Sequence, residues 1–296
     1  MIVIFQKVDP VTLRLPSIIH WKYRLVDLEI LHTREPQNQF YLLQQDLEKL
    51  KEFNKLYIMK SLLFLFISIT SFASFSQKQI IVHDNHVVER TIGKFNSLSI
   101  SGPFKVFFSQ STDYKLALSS SNKTIDDRVQ TSVVDGVLTI SLRGKSFWDI
   151  ASSDRNIKVY ISAPVLKHIN ASGASDFNVV GKMHAENLQL TLSGASDFRG
   201  SIEASLLHIT QSGASDIKMD GDVHSITLKT SGASDFNSFS LVVDDAILSA
   251  SGASKIQVTI RKSIRANASG ASDIEYRRNP EKVERSSSGA SNISHQ

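Results

Sequence analysis

Ser172-Gly173-Ala174-Ser175 is the first of seven copies of one tetrapeptide, and this repeat decides the fold of the chain. The copies begin at Ser172, Ser193, Ser212, Ser231, Ser251, Ser269 and Ser288. The steps between them are 21, 19, 19, 20, 18 and 19 residues. A nearly constant period of this length is typical of stacked repeats, because each unit is too short to bury a core alone and must pack on its neighbours.

The residues around each copy form columns that alternate between apolar and polar side chains. The fifth residue after the first Ser is large and apolar in every copy, as in Phe177 and Ile217. The third residue before it is apolar until the last copy, where Arg285 stands. Leu188-Gln189-Leu190-Thr191-Leu192 has the period of two that indicates a β-strand. Each unit is therefore predicted to contain a strand, a corner, a second strand and a return of variable length.

The composition of the corner has a physical cause. Gly adopts backbone angles that other residues avoid, and Ser can hydrogen-bond nearby backbone groups in a turn. We expect the Ala to fill an inward site where only a methyl group fits. The return segments carry Gly181, Gly200 and Gly221, and the changes in repeat length fall there.

These patterns predict an all-β fold, a single-stranded parallel β-helix (solenoid) with rungs of about 20 residues stacked about 4.8 Å apart. We expect a right-handed coil, because parallel crossovers are overwhelmingly right-handed. An antiparallel sandwich of hairpins is the alternative, but it gives no reason for identical corners in register. The repeats occupy 171–296. Residues 77–170 are a less regular β region that starts and caps the solenoid, with a degenerate corner at Ser101-Gly102-Pro103-Phe104 and a hairpin turn at Asp135-Gly136.

Residues 59–76 have the features of a secretory signal peptide. Met59-Lys60 precedes a short apolar run, and small residues at alternate positions permit cleavage after Ser76. A transmembrane anchor is the alternative, but the run is short and rich in Ser and Thr, whereas a span needs about 20 apolar residues. We interpret 1–58 as a mis-assigned extension, the alternative being a genuine extension before an uncleaved anchor. The protein is therefore predicted to be exported, to the periplasm, the outer surface or the medium.

Composition and charge exclude several classes of function. Cys is absent, which excludes disulfides, a Cys nucleophile and a Cys zinc site. The formal net charge is only +4 over 296 residues. This charge gives no basic surface of the kind that indicates nucleic-acid binding.

Several stretches of the chain resemble the head GIN domain family of auto-transporter adhesins. They are Phe95-Asn96-Ser97-Leu98-Ser99-Ile100-Ser101-Gly102-Pro103-Phe104-Lys105-Val106, Val133-Val134-Asp135-Gly136-Val137-Leu138-Thr139-Ile140 and the segment 159–169 before the first repeat. The resemblance covers about 95–296. It implies a β-helical fold and secretion in bacteria of the Bacteroidetes type, and it brings no catalytic residues.

The residue after each corner is the most suggestive candidate site. This column predicts a row of carboxylates that could bind a cationic partner, or calcium, since hard cations prefer oxygen ligands. The alternative is that each Asp caps its turn by accepting hydrogen bonds from backbone N–H groups. The column consists of Asp176, Asp197, Asp216, Asp235, Lys255, Asp273 and Asn292.

Other candidates concern catalysis and sugar binding. The Ser pairs of the corners have no recurring base beside them, so we predict no catalytic residues. His184 and His224 occupy equivalent places two repeats apart, which is too far for adjacent metal ligands, and no metal site is predicted. Trp148 lies among Asp149, Asp154, Arg155 and Lys158 and could stack on a sugar.

Together these features predict an adhesin-like or structural envelope protein without catalytic activity. It would bind glycans or cell-surface proteins through repeated polar columns. A carbohydrate-active β-helix enzyme acting on acidic polysaccharide is the alternative. Such an enzyme should gather unlike charges in one groove, whereas a binding rod keeps like residues in columns.

Overall fold

The structure, a computed structural model, describes Asp84 and residues 87–120, 126–143 and 157–296. The predicted signal peptide at 59–76, the stretch 1–58 and Trp148 lie outside these residues. The described strands are β1 (Val88–Arg90), β2 (Ser97–Gly102), β3 (Phe104–Gln110), β4 (Lys115–Ser119), β5 (Val129–Val134), β6 (Val137–Leu142), β7 (Ile157–Ala163), β8 (His168–Gly173), β9 (Asp176–Leu192), β10 (Asp197–Gln211), β11 (Asp216–Thr230), β12 (Asp235–Ala250), β13 (Lys255–Ala268), β14 (Asp273–Arg277), β15 (Lys282–Ser287) and β16 (Asn292–His295). Within the described ranges, no helix has the length and hydropathy needed to cross a bilayer.

The repeats form a parallel β-solenoid of about seven turns, with rungs about 19 residues apart. Strands β9 to β13 each pair in parallel with the next strand in the chain. This pairing confirms the predicted solenoid and excludes the antiparallel sandwich. The predicted break at the return is wrong, because β9 runs through it as one bent strand of 17 residues. Extra residues are accommodated by register shifts, such as those between Arg199 and Ser201 and between Ser238 and Val242.

The core consists of the inward columns that alternation predicted. Phe177 and Phe198 occupy one column on adjacent rungs, are fully buried, and stack with ring centroids 5.3 Å apart. Burying a side chain of this kind stabilises the fold by about 1.5–3 kcal/mol. The column three residues before the first six corners is also buried and consists of Ile169, Leu190, Ile209, Leu228, Leu248 and Ala266. Each rung therefore buries its apolar face mainly against its neighbours.

The corners place Ala outside and the second Ser inside, so the inward position expected for Ala is wrong. Gly194 has a φ of 74°, and the chain turns there so that Gly194 and Ala195 are both exposed. Ser196 then points inward and is fully buried. Its hydroxyl donates a hydrogen bond of 2.9 Å to the carbonyl oxygen of Ser193 in the same corner. A polar group thus lies in the core because its own turn satisfies it.

The N-terminal region extends the solenoid, but its rungs do not follow chain order. Strands β2 and β3 make one rung around the predicted degenerate corner, and Gly102 aligns with Gly173 of the first repeat. Strands β6 and β7 lie on the far side of that rung, although they come later in the chain. The predicted turn at Asp135-Gly136 joins β5 and β6 as an antiparallel hairpin. Antiparallel β4 and β1 then cover the edge of β7.

Candidate functional site

The predicted Asp column is a continuous ladder on the outer face of the sheet that follows the corners. The register places Asp176, Asp197, Asp216 and Asp235 beside one another on four successive rungs. Lys105 adjoins the ladder at one end and Lys255 at the other. The four carboxylates form the part of the column called here the Asp ladder. The fifth predicted residue, Asp273, lies beyond Lys255 and is separated from the ladder by it.

The alternative role, in which each Asp caps its turn, is wrong in this structure. The buried Ser of each corner closes the turn, as Ser215 does by donating to the carbonyl oxygen of Ser212 at 2.8 Å. Within the described ranges, the side chains of Asp176, Asp216 and Asp235 make no hydrogen bond or salt bridge. Asp197 is the exception, because its Oδ2 accepts a hydrogen bond of 2.8 Å from Arg199. The ladder carboxylates are therefore largely available to an external partner.

Asp216 lies between two other carboxylates of the ladder, Asp197 and Asp235. Burial, followed by the negative charges of Asp197 and Asp235, raises the pKa of Asp216, and Arg199 partly opposes this increase. Carboxylates on adjacent rungs are about 5 Å apart and repel unless a cation or a hydrogen-bond donor lies between them. The ladder therefore favours a partner that supplies positive charge or hydroxyl donors.

The predicted sugar-binding cluster is described only in part. Trp148, Asp149, Asp154 and Arg155 lie outside the described residues. Lys158 is described, and its Nζ lies 2.7 Å from Oδ1 of Asp84. The hydroxyl of Tyr160 donates to the other oxygen of Asp84, also at 2.7 Å. The hydrogen bond from Lys158 is the main reason why the pKa of Asp84 is lowered.

A second polar site, which the sequence reasoning missed, lies along the return edge of the solenoid. His184, Glu203 and Asp222 stand in register on three successive rungs. The Nδ1 of His184 lies 2.9 Å from Oε2 of Glu203, and the Nδ1 of His224 lies 3.1 Å from Oδ2 of Asp244. These side chains line one shallow groove, called here the return groove.

Basic side chains neutralise the carboxylates of the return groove. Glu203 forms an ion pair with Lys182. The hydrogen bond from Lys182 is the largest cause of the lowered pKa of Glu203. The Nζ of Lys262 lies 2.9 Å from Asp244 and is the largest cause of the lowered pKa of that carboxyl. Arg261 contacts Asp244 at 3.3 Å and also pairs with Asp222. Both shifted carboxyls are therefore held in the charged form.

The sequence did contain a signal for the return groove. When positions are numbered from the preceding corner, His184 and His224 have the same number and look equivalent. This equivalence is misleading, because the first repeat is longer than the others. Counting back from the following corner instead places His184, Glu203 and Asp222 each nine residues before the next Ser. The second count follows the observed register. In the described part of the chain, no group of three or more His, Asp or Glu side chains is placed to hold a metal ion.

Solved structures with the same fold come from species of Bacteroides and Parabacteroides. A putative adhesin of Bacteroides fragilis is 22% identical, with a TM-score of 0.62 over 73% of this chain and 100% of its own. A putative lipid binding protein of Parabacteroides distasonis is 19% identical, with a TM-score of 0.55 over 72% of this chain and 97% of its own. A putative adhesin of the same species is 15% identical, with a TM-score of 0.55 over 71% of this chain and 96% of its own. At these identities the likeness concerns the fold.

No curated protein matches the chain in sequence. A family model does match it, over residues 94–280, which is more than half of the chain and includes all but the last of the seven corners. The match agrees with the resemblance seen in the opening strands and in the segment that leads into the first repeat. The chain belongs to the family described as putative auto-transporter adhesin, head GIN domain.

Proposed function

We propose that the protein is an exported, adhesin-like envelope protein that binds its partner through the Asp ladder. The observation that carries this proposal is the register of Asp176, Asp197, Asp216 and Asp235 on successive rungs. The side chains of three of them have no hydrogen-bond or salt-bridge partner among the residues that the structure describes. A row of equivalent carboxylates offers many weak contacts at a fixed spacing. Contacts on one rigid surface reinforce one another, because each contact after the first is intramolecular.

The chemistry of the ladder favours a glycan or a cationic protein surface as the partner. Carboxylates accept hydrogen bonds from sugar hydroxyls and form charge-assisted bonds with basic side chains. Calcium could bridge neighbouring carboxylates to a glycan, since it takes several oxygen ligands in flexible geometry. Arg199 and Lys218 lie on the rungs of the ladder, two residues after Asp197 and Asp216, and could donate to the same partner.

Family membership supports an adhesive role, and so do the names of two of the structural neighbours. A third neighbour is called a putative lipid binding protein. The Asp ladder is a row of carboxylates, which suits a glycan or a surface protein better than an acyl chain.

The test is a glycan array probed with the full chain, with and without calcium. Three proteins should be compared: the native chain, the ladder variant D197N/D216N, and the control D220N. Asp220 is an exposed Asp of the same strand that lies outside the ladder column. We expect a reproducible glycan signal that the ladder variant loses and the control keeps. Binding that D197N/D216N leaves unchanged would contradict the proposal, and a signal that requires calcium would place the ion in the ladder.

The return groove favours a second candidate function, a carbohydrate-active enzyme acting on acidic polysaccharide. It gathers Glu203, Asp222, Asp244 and two His side chains with Lys and Arg, which is the mixture of charges expected of such an enzyme. Glycoside hydrolysis, however, needs one carboxyl that stays protonated near neutral pH. The pKa of Glu203 and that of Asp244 are both lowered, which argues against this role. Release of reducing ends from polygalacturonate, abolished in E203Q, would favour the enzyme.

A further inference from the structure

Residues 277–282, where β14 passes into β15, carry three exposed basic side chains and one exposed acidic side chain, Glu281. Arg277, Arg278 and Lys282 are exposed, and none of them forms a salt bridge within the described ranges. This segment is called here the basic turn. It lies at the return edge beside β13, since Arg277 is in register with Thr259 and Lys282 with Ser263.

The basic side chains of the rung below are all committed to partners. Lys255 lies 2.8 Å from Glu275, and Arg265 lies 2.7 Å from Glu284. Lys262 and Arg261 both contact Asp244 on the other side of the rung. The cations of β13 therefore link neighbouring rungs. Those of the basic turn are exposed and form no salt bridge with the described residues, although Arg277 contacts the ring of Phe239.

Arg278 has backbone geometry that its own side chain does not favour. Its φ is 70°, in the left-handed region that Gly and Asn adopt more readily than Arg. An unfavourable conformation at an exposed residue without a structural partner is a reason to look for a functional one. A Gly or Asn would suit this backbone conformation better but would not provide a guanidinium group. The guanidinium is therefore the group of Arg278 to which a function can be assigned.

Arg277 is held in place by an aromatic ring. Its guanidinium carbon lies 3.9 Å from the centroid of the Phe239 ring. A guanidinium stacked on a ring keeps its N–H edge free for an anion, and the stacking restricts the side chain before any ligand arrives. Arg277 and Arg278 are consecutive residues and thus offer two planar donors, and Lys282 at the end of the same segment adds a third positive charge.

We propose that the basic turn binds the carboxylate groups of an acidic glycan. Planar guanidinium groups match carboxylates in a bidentate manner. A membrane surface fits less well, because the strands on either side of the basic turn, β14 and β15, expose only one large apolar side chain, Val283.

This inference deepens the proposed function by naming a second site and the charge of its ligand. The probe is polygalacturonate, with neutral dextran for comparison, and binding to the full chain is measured by calorimetry at low and moderate salt. We expect polygalacturonate to bind and dextran not to bind. We expect R278G to weaken binding about tenfold, because one charged hydrogen-bonding contact to the glycan is lost. Its melting temperature should be unchanged or higher, since Gly suits the left-handed turn.

Two controls make the test specific. K167A removes an exposed cation that precedes β8, several rungs away from the basic turn, and should bind as the native chain does. D197N/D216N alters the Asp ladder and should also keep polygalacturonate binding, so failure of the ladder proposal and failure of this one are distinguishable. R277A provides a second variant of the turn. Unchanged binding in both R277A and R278G would overturn the inference, and so would binding to phosphatidylglycerol vesicles without binding to polygalacturonate.

Discussion

Gly213 stands directly over Gly194 in the stack of corners, and a Cβ atom on Gly213 would lie 2.4 Å from the carbonyl oxygen of Gly194. The same oxygen accepts a hydrogen bond of 2.8 Å from the amide of Ala214. Gly213 has a φ of 84°, so an L side chain there would be strained even without the contact. The corner repeats Gly because adjacent rungs approach through their backbones.

The substitution G213A should therefore destabilise the solenoid by about 2 kcal/mol or more, combining left-handed strain with a forced separation of rungs. For a chain of this size that corresponds to a fall in melting temperature of at least about 4 °C. The matched control is G93A, because a Cβ on Gly93 would meet nothing closer than 3.9 Å. Equal melting temperatures for the two variants would show that the corners can separate without cost.

The buried Ser of each corner should also be needed for stability. S196A removes the hydroxyl that donates to the Ser193 carbonyl oxygen and leaves that oxygen without its donor. Loss of a hydrogen bond to a buried group costs about 1–2 kcal/mol. S193A is the control, because the Ser193 side chain makes no hydrogen bond in the described structure. Urea unfolding followed by circular dichroism would measure the difference, and a larger loss in S193A than in S196A would contradict the assignment.

Much of the solenoid could be predicted because the same local solution is repeated seven times. The apolar column from Phe177 to Ile293 and the Asp column follow directly from alignment on the corners. The inward Ser was not predicted, because composition alone made Ala the obvious choice for the core. That choice overlooked the hydrogen bond through which a Ser at this position satisfies its own hydroxyl.

The order of the N-terminal rungs could not be predicted, because β2, β3, β6 and β7 share no repeated corner that would reveal their alignment. The return groove was missed for a related reason. Insertions near Gly181 shift the count from the preceding corner, so His184 was compared with His224 and its true neighbour Glu203 went unnoticed. A column can be recognised from the sequence only when positions are counted from a corner that no insertion separates from the column.

Repulsion in the Asp ladder should appear as a stability gain when its centre is neutralised. Because the folded pKa of Asp216 is raised, the unfolded chain loses this proton first as pH increases, and ionised Asp216 lowers the free energy of unfolding at neutral pH. D216N should therefore be more stable than the native chain at pH 7, by less than about 1 kcal/mol for a surface group.

The gain in D216N should disappear below the ordinary Asp pKa, where both states of the native chain are protonated, and should shrink at high salt. D220N is the comparison, because Asp220 lies outside the column. Thermal unfolding at pH 7 and pH 3, each at two salt concentrations, measures the effect. A D216N protein that is less stable than the native chain at pH 7 would mean that Asp216 has a favourable partner.

Asp244 should show the opposite dependence on pH. Its folded pKa is lowered, chiefly by the hydrogen bond from Lys262 and then by that from His224, and Arg261 also contacts it. A lowered carboxyl pKa stabilises the fold above the unfolded pKa, and the stabilisation is lost as pH falls through the folded value. D244N should therefore be less stable than the native chain at pH 7, and the stabilities of the two proteins should converge as pH falls below the ordinary Asp range.

The changes in melting temperature caused by D216N and D244N at pH 7 should therefore have opposite signs. Measured in one series of melting curves, this difference would distinguish a carboxylate that is free for a partner from one that joins rungs. Equal signs would contradict the distinction between the ladder and the return groove.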